Sequence, residues 1–261
     1  NKLGVIFHQA NEWIERMGVE DVGRLNDLVV ANRVQELILV TEALHEQNVA
    51  SIATAIARGH EEQGVRIVLI AGPTSAGKTT FSKRLAIQLL ANGLRPFTLE
   101  MDNYFVDRER TPRDANGDYD FESLEALDVP LFNRQLNQLL QGEEVRLPRF
   151  DFYSGKSVPG QCARLEERQI IILEGIHGLN PALITEVPQE KVMRVYASAL
   201  TQVNIDRHNR VATTDVRLLR RIVRDARSRG YSAADTLQRW ESVRRGEKRN
   251  IFPYQDNADL I

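Results

Sequence analysis

The stretch Ile70–Leu85, IAGPTSAGKTTFSKRL, decides how the chain is read. Gly72-Pro73-Thr74-Ser75-Ala76-Gly77-Lys78-Thr79 fits the spacing G-x-x-x-x-G-K-[ST]. It stands between a short β-branched apolar run, RIVLIA, and an amphipathic run, KTTFSKRLAIQLLANG, that Gly93 is placed to end. A strand, a glycine-rich turn and a helix N-terminus aim successive backbone N–H groups at an anion, and the helix end adds positive potential. Lys78 is placed to neutralise β/γ oxygens and Thr79 to offer a hydroxyl to Mg²⁺, so Gly72 through Thr80 are the expected nucleotide-binding residues. The loop leaves one question open: whether the terminal phosphate goes to water, to a motion, or to the hydroxyl of a second molecule.

Outward from this loop the pattern repeats. RPFTLEM reads as a second strand, QIIILEG as a third and VMRVYASA as a fourth, while DVRLLRRIVRDARSRG reads as a helix ended by Gly230. Strands separated by helices predict a parallel sheet with right-handed crossovers, an α/β three-layer domain over residues 64–261. Residues 1–63 read as a helical segment, with Val30, Val34, Leu37, Ile38 and Leu44 at helical spacing. A further helix is expected from an Asn48 cap to a Gly59 stop. Trp13 and His8 are expected to pack in a core or an interface. The chain opens on Asn1 and stops at NADLI, which reads as the middle of a strand, as a piece of a longer protein would.

Composition bounds the function. The chain has 261 residues, 42% apolar and 27% charged, enough for a sizeable core. No apolar run approaches the ~20 residues of a membrane span. The single Cys162 excludes an internal disulfide and a cysteine-built metal cluster. With no visible signal peptide, a reducing, cytoplasmic location fits. The net charge of −2 hides a basic block: residues 207–249 hold 13 Lys+Arg against 5 Asp+Glu. That asymmetry suggests a local anionic partner more than a nucleic-acid-coating surface, with a solvated arginine-rich helix as the plainer alternative.

Two carboxylates follow predicted strands. Ligands of an open parallel sheet bind beyond the carboxyl ends of its strands, so Asp102 should share a crevice with Lys78. It could take a proton from an attacking hydroxyl or help hold Mg²⁺; a helix cap or turn role also remains open. Glu174 ends QIIILEG in the same way, as a metal-side carboxylate or a cap. Arg217, Arg220, Arg221, Arg224 and Arg227 recur along one helix face, and Leu219, Ile222, Val223 and Ala226 along the other. The expectation is that the apolar face packs while the guanidinium groups cover a transferring phosphoryl group, with Gly230 as hinge. Such a lid, about residues 214–250, would exclude water and favour transfer to an acceptor.

The glycine-rich loop together with MDNYF, DFYSG, IIILEGIHGLNP and TDVRLLRRIVRDARSRG resembles the phosphoribulokinase/uridine kinase family, and its long bacterial uridine-kinase-like members most. The resemblance runs from Arg66 to Ile261 and implies transfer of the ATP γ-phosphate, with Mg²⁺, to a hydroxyl of a nucleoside-like acceptor. Residues 1–63 would then be a connector after a further upstream region, and the oligomeric state stays open. By motif match it puts Asp102 in the general-base position and Glu125 on the acceptor's sugar hydroxyls. Arg221, Arg224 and Arg229 fall on the lid arginines, Tyr104 and Phe105 beside the acceptor, and Asp120 close by. There are departures: Phe150 and Gly155 stand at base-reading positions, Tyr231 replaces a lid arginine, and Arg239 replaces a lid glutamine that would face the acceptor. The alternatives within and outside the family are a kinase of another hydroxylated metabolite and an ATP-binding regulatory module.

Overall fold

A computed structural model describes residues 2–114, 117–200, 203–206 and 208–261. Its centre is β1 (Ile67–Ala71), five residues that are all buried. Parallel partners flank it, β5 (Gln169–Glu174) on one side and β6 (Val192–Tyr196) on the other, and β2 (Arg95–Glu100) pairs in parallel with β5. The sheet order is therefore β2-β5-β1-β6.

Side chains alternate across a strand, so each strand feeds two cores. Ile67, Leu69, Leu99, Ile171 and Leu173 join Phe132, Leu136 and Leu139 of α5 (Val129–Leu140). Val68, Ile70, Ile170 and Ile172 join Leu85 and Leu89 of α4 (Lys78–Ala91), and also Val49, Ile52, Ala53 and Ile56 of α3 (Val34–Gln63). A sheet covered on both faces reads as continuous apolar runs, which is why RIVLIA and QIIILEG were recognisable as strands. The result is the expected three-layer α/β architecture, preceded by α1 (Lys2–Met17) and α2 (Val22–Val30).

Three local expectations are overturned. Asn48 and Gly59 do not bound a separate helix, because α3 runs unbroken for 30 residues to a left-handed cap at Gly64. Gly59 lies inside it for packing: a Cβ there would meet Met193 Cε at 2.9 Å and Val65 Cγ2 at 3.2 Å. His8 is not in the core; it is exposed beside Glu12 at 3.4 Å. The third concerns α6 (Thr213–Ser228). Leu219 and Val223 are 63% and 50% exposed, while Arg217 is 1% exposed. The helix turns a polar face inward because carboxylates wait for it there.

Between β2 and β5, where the sequence marks no element, α5 is followed by an antiparallel hairpin of β3 (Val145–Asp151) and β4 (Lys156–Ala163). After α6 comes α7 (Ala233–Asn250), started by a Ser232/Asp235 capping box. NADLI, read as the middle of a strand, forms only a single parallel bridge, from Leu260 to Val195.

Candidate active site

The loop from Gly72 to Gly77 is shaped by positions that need glycine. Gly72 has φ +155°, and a Cβ there would stand 2.0 Å from the Ala197 carbonyl oxygen beyond β6. Gly77, at φ +100°, caps α4 at its N-terminus. Ser75 takes φ +58°, the left-handed region that a non-glycine residue seldom visits. Lys78 Nζ donates to the Gly72 and Pro73 carbonyls at 2.9 and 3.2 Å, so its ammonium lies inside the curl of the loop. Burial pulls its pKa down, opposed by Glu174, Glu122 and Asp102.

The strand register supplies the opposite wall. Glu174 pairs with Ile70 of β1 and Glu100 of β2, so the carboxyl ends of three strands meet there. Thr79 Oγ1 donates to Glu174 Oε1 at 2.9 Å. Asp102, in the single turn Met101–Tyr104 after β2, opens to the cleft. Its low-dielectric surroundings raise its pKa, Glu174 raises it further, and Lys78 and Arg229 oppose this. Thr74, Ser75, Lys78, Asp102, Glu174 and Arg224 are among the residues lining one cleft of about 860 Å³.

The guanidinium groups reach this cleft through anchors the sequence reading did not single out. Arg217 pairs with Glu247 of α7 through both terminal nitrogens, one of them also donating to Thr74 O at 3.1 Å. Glu247 accepts in addition from Thr74 N at 3.3 Å, tying α6, α7 and the loop together. Asp225, 2% exposed, lies within ion-pair distance of Arg221 (3.3 Å), Arg224 (2.8 Å) and Arg229 (3.9 Å). Arg221 also reaches Thr74 Oγ1 at 3.3 Å, and Arg220 Nε reaches Ser75 O at 2.9 Å.

The acceptor side is less as expected. Phe105 lines the cleft and Phe150 backs it, ring to ring at 5.5 Å. Tyr104 instead lies in the core, its hydroxyl donating to Gln135 Oε1 at 2.9 Å. Arg239 stacks on Tyr231 at 4.4 Å and is exposed outside the cleft. Asp120 accepts from Arg249 at 3.2 Å. Glu125 bonds Ser123 and borders a separate hollow with Arg110 and Pro130. Of the carboxylates in this segment, the one that lines the cleft with Lys78 is Glu122, which the sequence reading passed over. Burial pushes its pKa up to about 7, against the pull of Arg221 and Lys78. DYDFESLE offers four carboxylates in eight residues, and nothing in its spacing tells which one a turn will aim inward. Asp225 had a signal, since it stands four residues from both Arg221 and Arg229.

A phosphate loop that faces carboxylates and sits beneath anchored guanidinium groups has the layout of a P-loop phosphotransferase, and comparison with known proteins gives the same class. Residues 67–261 match the phosphoribulokinase / uridine kinase family, and the chain belongs to it. The uridine kinase of Deinococcus deserti is 27% identical over 197 residues, 75% of this chain and 86% of that protein. The uridine kinase of Lactobacillus helveticus is 29% identical over 196 residues, 75% and 84% of the two chains. D-glycerate 3-kinase from Cryptococcus neoformans superposes with a TM-score of 0.51 at 12% identity, over 82% of this chain and 90% of that one, which shows a shared fold. The protein is a phosphotransferase with an alcohol group as acceptor.

Proposed function

We propose that the chain moves the γ-phosphoryl group of ATP to a hydroxyl of a nucleoside-like acceptor. Backbone N–H groups of Gly72–Thr80 and Lys78 hold the phosphates. The hydroxyl of Thr79 and the carboxylate of Glu174, 2.9 Å apart, are hard oxygen donors that suit Mg²⁺ and would hold it. That ion supplies charge neutralisation to the phosphates. Asp102 accepts the proton of the attacking hydroxyl as the new O–P bond forms and the bond to ADP breaks. Its raised pKa makes it a stronger base than an ordinary aspartate. Arg221, Arg224 and Arg229 stabilise the spread negative charge, and Glu122 takes the role on the acceptor's hydroxyls that the resemblance assigned to Glu125. Residues 214–250 form the lid, and residues 1–63 a helical connector whose distal part, from Val49, docks on the sheet. A cytoplasmic location fits this chemistry.

The observation that carries this reading is that Lys78, Asp102 and Glu122 line one cleft, because a nucleotide switch has no use for acceptor-side carboxylates. A second reading, a hydroxylated acceptor without a base, is favoured by the side chain of Arg108. It fills the space at Gly155, so no side chain stands at that base-reading position. The test is ADP formation with and without uridine, adenosine, ribose and glycerate, in the native chain and in Asp102→Asn. Acceptor-dependent ADP formation that falls by about 10²–10⁴-fold in Asp102→Asn, with ATP affinity little changed, is expected. Loss of ATP binding in step with activity would make Asp102 a nucleotide-side residue.

A further inference from the structure

His177 follows β5 in the segment Glu174-Gly175-Ile176-His177 and lines the same cleft as Asp102 and Glu122. Its side chain is almost wholly buried, at 2% exposure, and neither ring nitrogen has a hydrogen-bond partner. The Ser123 backbone and the Glu125 and Asp120 carboxylates influence it, but the Ser123 contact falls outside hydrogen-bond geometry. Burial holds the ring neutral, with its pKa lowered to about 4. A neutral imidazole carries one N–H donor and one lone-pair acceptor, and both are stranded here.

Buried polar atoms without partners destabilise a fold. A leucine of similar volume would serve the folded chain better, so the imidazole answers a need that the free chain does not have. The surroundings say which need. Phe105, Phe121 and Leu127 make apolar walls beside it, and Glu122 supplies an acceptor-only carboxylate when ionised. A carboxylate accepts a hydrogen bond from one hydroxyl, and an imidazole accepts from or donates to another. Two such groups lining one cleft match two hydroxyls of one polyol.

We infer that His177 is a specificity residue that hydrogen-bonds a second hydroxyl of the acceptor, in addition to the one held by Glu122. The inference rests on the acceptor reading given above. Both nitrogens are shielded from bulk water, so reaching the acceptor requires the turn carrying Asp120, Glu122 and Ser123 to shift. That turn is held to α7 by Asp120–Arg249 at 3.2 Å and by Asn250 on the Glu122 carbonyl.

The experiment compares kcat/KM for uridine, 2′-deoxyuridine and 3′-deoxyuridine at fixed ATP in the native chain, His177→Leu and His177→Asn. The native chain is expected to favour uridine over at least one deoxy analogue. In His177→Leu that ratio should fall by about tenfold or more, because the stranded partner that penalised the missing hydroxyl is gone. His177→Asn, which keeps a donor and an acceptor, should restore part of it. The KM for ATP should hold, and His177→Leu should melt no lower than the native chain. Unchanged ratios in His177→Leu, or a lowered melting temperature with ATP binding lost in both variants, would reduce His177 to packing. A native chain that turns over none of the three nucleosides would overturn the acceptor reading beneath it.

Discussion

Glu122→Gln separates the energetic burden of a buried carboxyl from its use. In the folded chain this carboxyl titrates at about 7 against a reference of 4.5, chiefly through burial. A raised acid binds its proton more tightly folded than unfolded. Its contribution to stability is therefore fully present below 4.5 and lost as pH rises through about 7. At about 1.36 kcal/mol per pH unit, the loss is under ~1 kcal/mol at pH 5 and about 3 kcal/mol at pH 8. Glutamine has the same shape and does not titrate. The variant should therefore be more stable than the native chain by an amount that grows with pH, by about 2–3 kcal/mol between pH 5 and pH 8. Urea unfolding of both proteins at those two pH values measures this directly. The same variant should lose acceptor kcat/KM while keeping its KM for ATP, since the proposed function puts Glu122 on the acceptor side. A stability difference that is flat with pH would refute the buried-carboxyl argument, and loss of ATP binding would refute its place on the acceptor side.

Lys78→Ala should reduce turnover about a hundredfold or more in a chain that still folds. Near-native turnover would remove the ammonium from the transition state. Asp225→Asn removes the charge that seats Arg221, Arg224 and Arg229. Nucleotide KM should rise about tenfold and kcat should fall, and unchanged steady-state kinetics would show that the arginines seat themselves. Gly155→Ala should destabilise by about 1–3 kcal/mol in urea, because φ is +70° and a Cβ would stand 2.8 Å from the Arg108 guanidinium. A stability equal to the native chain would show that Arg108 moves aside freely.

The parts of the fold that sequence made legible are those settled by local rules. A fully buried parallel strand has no polar position to blur it, so β1 and β5 stood out as continuous apolar runs. The phosphate loop is a contiguous segment whose glycines are needed at particular φ values, and so it carries its own signature. Where local and tertiary demands differ, the local rule failed. Gly59 looks like a helix stop by type, yet its lack of a side chain is used to seat α3 against Met193 and Val65. Tyr104 and Phe105 are adjacent and equally aromatic. The turn at Met101–Tyr104 sends the first into the core and the second to the cleft, a choice no pattern of residue types records.

The inversion of α6 shows most plainly what sequence lacks. By amphipathic reasoning Leu219 and Val223 belong inside and the arginines outside. That rule assumes that the interior has nothing ionic to offer. Here Asp225 stands on the same helix and Glu247 comes from α7, 30 positions beyond Arg217. Burying one arginine against apolar neighbours would be prohibitive. Burying it with two hydrogen bonds to a carboxylate, and a third from its guanidinium to the Thr74 carbonyl, is not. The pairing also fixes the base of α6 to the phosphate loop itself. Arg221 and Arg224 thus stand at the cleft before a nucleotide arrives, and the apolar Leu219 and Val223 line the cleft beside them. A wall of that kind sheds water as it closes over phosphates. On the proposed reading, water exclusion favours transfer to an acceptor over hydrolysis.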